Sequence, residues 1–296
     1  MEGYVISQED NSYLVNVLIS QLPFDSNVKF SWLMDKSEDR IFTGIQSGHD
    51  LDRVSAWKAS FFSKFDFINV VPLFLEQANN WKNAFEQIGF RGFIYQHSVN
   101  WYEPDITSLA QYWQRRPSQL KNTLKRKQEL MNKDGNFTVK VYSEGSAEIL
   151  MQALIDYHQV YYHSWKRSEP TPAFIDSICQ HNWQINALRI GVIYYNNEPI
   201  AAQIWFVYDK TAAIFKLAYD QDFTRFSPGT VLTAALLEHV ICRDNVNTVD
   251  FLTGNDDYKK DWMSAKQPLY GIQLCNKRTW RGKLRSLANY VANFKH

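Results

Sequence analysis

Cysteine is scarce in this sequence: Cys179, Cys242 and Cys275 are the only three in 296 residues, odd in number and far apart. That count excludes a disulfide framework and any paired-thiol zinc or redox motif, and it suits a reducing compartment. No run approaches the roughly 18 uninterrupted apolar residues of a membrane span. The opening Met1-Glu2-Gly3-Tyr4 lacks the basic-then-apolar pattern of a secretory leader, so a cytoplasmic location is expected. His158 and His163 stand five apart with no third ligand close by, so no metal is expected. Neither a repeat nor a low-complexity tract is visible.

What the chain has is an apolar and aromatic surplus. With 45% apolar residues, 10 Trp, 16 Tyr and 19 Phe, it can bury one large core or two modest ones, and two subdomains are expected. Charge balances to +1 but is segregated. Seven bases (Arg115, Arg116, Lys121, Lys125, Arg126, Lys127, Lys133) share one segment with a single acid, Glu129, and seven more (Lys266, Lys277, Arg278, Arg281, Lys283, Arg285, Lys295) follow Trp262 with no acid. Such clustering points to an anionic partner, and solvated helix faces are the plainer alternative.

Strand-like and helical runs alternate. Residues 13–19, 67–75 and 93–99 read as strands, while 52–64 and 77–87 read as helices, the second stopping at Gly89. Asp105 is a candidate cap for a helix to Gln114, and Pro117-Ser118 opens another to Gly135 with Leu120, Leu124 and Met131 on one face. After a strand at 138–142, Ser146 caps a long helix with Ile149, Leu150, Ala153, Leu154, Tyr157 and Tyr161 expected inward. A short helix from Thr171-Pro172 to Cys179 precedes three strands, 188–195, 200–207 and 212–219, joined at Asn196-Asn197 and Asp209-Lys210. A helix from Gly229 to about Arg243, strands at Val249 and 270–274, and a basic amphipathic helix carrying Trp280, Leu284, Leu287 and Val291 complete an α/β, mixed α+β, pattern.

The most informative stretch is 212–262. An apolar strand ending in Tyr219-Asp220 leads through Arg225-Phe226 to Ser227-Pro228-Gly229-Thr230 and a helix. A helix start presents unpaired N–H groups, Ser is a capping residue, Pro suits the first turn, and Gly lets a phosphate reach the backbone. A second apolar strand, Val249 to Gly254, runs into the cluster Asp256-Asp257-Tyr258-Lys259-Lys260-Asp261-Trp262. A phosphate cradle beside a polar pocket is therefore expected, with an ordinary capped helix as the alternative. Asp250, between Val249 and Phe251, needs a partner if buried. Asp220 equally suits a turn-forming carboxylate. His158, Tyr162 and Trp165 fall on one helix face just before Lys166 and offer a polar, aromatic wall. Gln203 either points into a cleft or ties two strands together.

These pieces carry a resemblance in their joint order. The helix Ser118 to Lys133, Tyr161-Tyr162-His163-Ser164-Trp165-Lys166, the strands Arg189 to Ile193 and Ile200 to Gln203, Ala218-Tyr219-Asp220, Ser227-Pro228-Gly229, Asp250 to Gly254 and Tyr258 to Trp262 resemble the GNAT N-acyltransferase superfamily. More narrowly, residues 115–275 resemble its FemAB-like and CelD-type branch. The resemblance implies two GNAT-like halves sharing a central cleft: a degenerate copy over 1–114, a basic connecting helix over 115–136, and the acyltransferase half with its basic terminal helix over 137–296. It implies acetyl-CoA or another acyl-CoA as donor, its pantetheine along Leu217, Ala218 and Tyr219, and its diphosphate on Arg225, Phe226, Ser227, Pro228, Gly229 and Thr230. This loop departs from the family's usual pattern by one extra residue and by Pro228, which removes a donor. Catalytic candidates are Asp220 or Asp250 as base, directly or through a water, Tyr258 as acid and Lys259 as a charge stabiliser or a ligand of donor phosphate. Arg116, His158, Tyr162, Trp165, Lys166, Gln203 and Trp262 are candidates for holding a small-molecule amine.

The implied activity is acyl transfer to an amine of a small metabolite, amino sugar or cell-envelope precursor, as in polysaccharide assembly. Two other readings use the same residues: Fem-type transfer from aminoacyl-tRNA, and a non-catalytic protein that binds an anionic membrane surface through its basic segments. DNA is not an expected partner.

Overall fold

The computed structural model describes residues 2–9, 12–19, 29–35, 40–46, 65–166, 169 and 172–293; the helix expected over 52–64 lies outside the described residues. The chain forms two compact units, residues 1–100, 253–255 and 267–296, and residues 101–252 and 256–266. The terminal helix thus falls in the first unit, whereas the sequence reading kept it with 137–296.

In the first unit, β1 (Glu2–Glu9) pairs antiparallel with β2 (Ser12–Ile19) and parallel with β3 (Lys29–Asp35), which pairs antiparallel with β4 (Arg40–Gln46). Beyond β2 come β5 (Phe67–Leu73), parallel to it, and then the strand Ala265–Asn276, antiparallel to β5. Helix α1 (Leu75–Gln87) buries Ala78, Trp81 and Phe85, residues spaced three and four apart, in a core with Phe65, Ile68, Leu73, Phe90, Ile272 and Leu274. The Gln77 side chain accepts from the Phe74 N–H at 2.9 Å at its start. Gly89 ends it at φ 99°, a left-handed conformation that favours glycine. Strand β6 (Phe90–Glu103) follows.

The second unit contains α2 (Leu109–Gln114), α3 (Ser118–Asp134), β7 (Phe137–Tyr142), α4 (Ala147–His163), α5 (Pro172–Gln184), β8 (Leu188–Tyr195), β9 (Glu198–Tyr208), β10 (Thr211–Tyr219), a 3₁₀ turn (Gln221–Phe226), α6 (Pro228–Cys242), β11 (Thr248–Thr253) and α7 (Lys259–Trp262). Two elements complete the chain, β12 (Ala265–Asn276) and α8 (Trp280–Asn293). Asn196-Asn197 and Asp209-Lys210 take the positive φ values, 50° and 66°, 43° and 61°, that two-residue hairpins demand, and they fold β8, β9 and β10 into an antiparallel meander with β7 on its edge. Helix α4 covers one face, where Asp156 accepts from the Tyr194 hydroxyl; α6 covers the other, where Gly191 leaves room for Leu232 and Leu236.

Three details differ from the sequence reading. Asp105 sits at φ 55° and caps nothing; Ser108 caps α2 instead, its Oγ accepting from the Gln111 N–H at 3.1 Å. On α4, Ile149 is exposed and Tyr161 half-buried, while Val160 and the hydrogen-bonded Asp156 complete the inner face. Helix α5 runs on past Cys179 to Gln184.

Candidate active site

Strands β10 and β11 run parallel but pair only from Thr211 opposite Thr248 to Ala213 opposite Asp250, although both continue. Two local features accompany the divergence. Strand β10 has an irregularity between Ile214 and Lys216, which shifts its register against β9. Strand β11 bends at Leu252, φ 53°, where the Asp250 carboxylate accepts from the Leu252 N–H at 2.7 Å. Past the divergence, β11's carbonyls are taken by a side chain: Lys259 Nζ donates to Phe251 O at 2.9 Å and to Leu252 O at 3.3 Å. Lys259 is only 4% exposed, and burial lowers its pKa, partly offset by Asp256 and Asp250. It is a tie that holds α7 against the open end of β11 rather than a mobile phosphate ligand.

The start of α6 lies beside the end of β10. Ser227 takes φ 50° between the 3₁₀ turn and α6, and its carbonyl accepts from the Thr230 and Val231 N–H groups at 3.0 and 3.2 Å. Pro228 has no N–H. The Gly229 N–H thus heads the helix without a hydrogen-bond partner among the described residues. A Cβ at 229 would stand 3.3 Å from the Tyr219 ring, so glycine is what lets strand end and helix start approach. Gln203 does not face a substrate: it is buried, donates to Gly229 O at 3.1 Å and to Thr233 Oγ1 at 2.9 Å, and accepts from Trp205 Nε1 at 2.9 Å. It locks the first turn of α6 to β9. Phe226, Pro228 and Ala218 are buried; Leu217, Tyr219, Ser227, Gly229 and Thr230 are half-buried; Arg225 is exposed over the Phe226 ring, its carbonyl accepting from Lys127 Nζ of α3.

On the opposite face of β10 lies a charged cluster. Register places Lys216 opposite Ile204, whereas Leu217 stands opposite Gln203 on the α6 side, so Lys216 points toward α4. Lys216 Nζ meets Glu169 at 2.8 Å. Lys166 Nζ stands 5.7 Å from the centres of the Tyr161 and Trp165 rings, and its pKa is lowered first by burial and then by Lys216. Burial and Glu169 raise that of Tyr161. Trp165 packs on Tyr219 with ring centres 4.5 Å apart. Lys216 and Glu169 were missed from sequence. The first had a signal, being the lone charge in the apolar run 213–218, and a buried charge needs a partner.

The remaining candidates separate. Asp220 caps the 3₁₀ turn, accepting from the Asp222 N–H at 3.0 Å. Burial and Asp256 push the Tyr258 phenol up to about 12. His158 Nε2 pairs with Asp176 at 2.6 Å, and Tyr162 is 83% exposed, so these two and Trp165 form no common wall. Arg116 and Trp262 belong to the interior: Arg116 binds Glu103 at 2.7 Å and donates to Trp262 O, which also accepts from Tyr112 OH at 2.9 Å. The buried guanidinium leaves no face for a substrate. Among the described residues, no group of three or more His, Cys, Asp or Glu is placed to hold a metal ion.

Residues 118–260 match the acetyltransferase (GNAT) domain family. This segment is a GNAT domain. With that match the chain is an acyltransferase. The GNAT fold has solved counterparts over most of the chain's length. A chain described as a lysylphosphatidylglycerol synthetase C-terminal domain, from Agrobacterium fabrum, aligns over 97% of this chain and 84% of its own at 11% identity and TM-score 0.55. L-PGS from Bacillus licheniformis aligns over 89% and 85% at 10% identity and TM-score 0.54. A conserved protein of unknown function from Bacteroides thetaiotaomicron aligns over 81% and 80% at 9% and 0.51. At such identities the likeness is one of fold. No curated protein matches the chain by sequence.

Proposed function

We propose that the chain moves an acyl group, acetyl in the first instance, from acyl-CoA to the amine of a small metabolite or envelope precursor, in the cytoplasm. One observation carries the reading: the β10–β11 ladder stops while both strands continue, and the gap opens beside the unpartnered Gly229 N–H. The β10 amides and carbonyls past Ala213 that meet no β11 partner suit the amide groups of a pantetheine arm, and a helix start with a free N–H suits its diphosphate. The residues fit the donor, since a Cβ at 229 would narrow this approach. Leu217, Ala218 and Tyr219 would hold the arm, and Gly229, Thr230 and Arg225 the phosphates. When bound, the thioester supplies an activated carbonyl and a thiolate leaving group.

In this reading the protein's own groups position and move protons. Asp250, at the vertex of the divergence, accepts the proton of the attacking amine on the carboxylate oxygen that does not take the Leu252 N–H. Tyr258 keeps its proton throughout the neutral range and delivers it to the departing sulfur. Lys166, Lys216, Glu169 and Trp165 form the acceptor side. Residues 1–114 are read as a degenerate copy of the fold. Acetyl-CoA, a longer acyl-CoA and free CoA tested by thermal shift decide the donor: ligands that bind the native state raise its melting temperature. Equal absence of a shift for all three would reject acyl-CoA.

A second reading has its own observation. Helix α3 presents Lys125, Arg126 and Lys133 to solvent and touches the loop before α6 through Lys127. A polyanionic donor such as aminoacyl-tRNA would use that surface, and salt-sensitive RNA retention without CoA binding would favour it.

A further inference from the structure

Helix α8 is packed with its polar side inward. Gly282 is buried at the contact, and a Cβ there would stand 2.1 Å from Asn276 O and 2.8 Å from Asp66 O. Two turns on, Asn289 Nδ2 donates to Gln273 Oε1 at 2.5 Å, and Arg285 Nε donates to the same oxygen at 3.0 Å. These ties fix the helix's rotation. Trp280, Leu284, Leu287 and Val291, spaced four, three and four apart, therefore form a stripe turned outward with Tyr290 at its edge, each 49 to 67% exposed.

An apolar stripe turned away from the core of the described residues needs another apolar medium. Its flanks restrict the choice. Lys277 and Lys283 are exposed, Arg281 lies over the Trp280 ring at 5.3 Å, and the sequence after Trp262 contains no acid. Two copies pressing this stripe together would bring like charges face to face with no acid on the helix to answer them. A nucleic acid would meet the bases but leave Leu284, Leu287 and Val291 in water. We propose that α8 docks on an anionic lipid surface, with the Trp280 to Val291 stripe at the acyl boundary and the flanking Lys277 and Lys283 among the phosphates. The inference is independent of which donor the site takes.

Flotation with vesicles tests it on the full chain. The protein should float with phosphatidylglycerol-containing vesicles and stay behind with pure phosphatidylcholine, and high salt should weaken the association. Leu284→Gln with Leu287→Gln should reduce vesicle binding at least about tenfold while keeping the melting temperature, because both side chains are already in water. Lys277→Gln with Lys283→Gln should remove the preference for anionic vesicles. Failure to float, equal binding to neutral vesicles, or unchanged binding of the leucine variant would overturn the proposal. So would dimerisation in sedimentation experiments that the leucine variant abolishes, which would make the stripe a self-interface.

Discussion

Helices α6 and α8 have almost the same length, 15 and 14 residues, yet they bury opposite kinds of surface. Helix α6 is apolar nearly all round, encloses Val231, Leu232, Leu236, Leu237 and Val240 in the core, and leaves its first turn as its opening. Helix α8 sets Gly282 and Asn289 inward and leaves its apolar stripe outside. Amphipathic spacing says which residues share a face; it does not say which face meets the core. On α8 a single glycine decides, because only a residue without a Cβ lets the helix approach the Asn276 and Asp66 carbonyls.

Substitutions on the two helices should separate sharply if this contrast is right. Leu236→Ala, in the closed part of α6, removes a fully buried side chain and should cost about 2–5 kcal/mol in chemical denaturation. Outside the two helices, just before α7, the effect should fall on catalysis instead: Tyr258→Phe should lower kcat about a hundredfold. Since burial holds that phenol near 12, the shape of the rate profile from about pH 6 to about pH 10 should not change. Gly282→Val, on the closed side of α8, should cost at least about 1–3 kcal/mol, because the obstructing atoms are backbone. Gln203→Leu should cost about 1–3 kcal/mol by stripping partners from Thr233 and Trp205, and should also weaken donor binding by leaving Thr233 as the one side chain holding Gly229 O among the described residues. Leu284→Gln, on the open side of α8, should change stability by no more than about 0.5 kcal/mol. A large loss at Leu284, or none at Gly282, would invert the assignment of faces.

Much of the fold was legible because local chemistry specified it. The Asn-Asn and Asp-Lys turns, Gly89, and the Leu120, Leu124 and Met131 stripe each follow from the conformation or spacing of a few neighbouring residues. The loop from Ser227 to Thr230 was legible for the same reason, being a helix start with Pro and Gly in their preferred places. The side-chain environments were not. Gln203, Arg116 and Trp262 look like polar or aromatic site candidates in one dimension and prove to be buried fasteners, since their partners Thr233, Glu103 and Tyr112 lie 30, 13 and 150 residues away. The Lys216 to Glu169 pair was hidden for the converse reason, as 47 residues separate the two charges. The ladder's early stop at Ala213 depends on register, which residue preferences alone leave open.

The central claim is that the open end of the β10–β11 pair and the first turn of α6 receive the acyl donor together. Amide hydrogen exchange with and without acetyl-CoA tests it most directly. The account predicts slowed exchange confined to Leu217 through Asp220 and Gly229 through Val231, with α8 unchanged. Protection that appears elsewhere, or none at those amides under conditions where acetyl-CoA demonstrably binds, would contradict it.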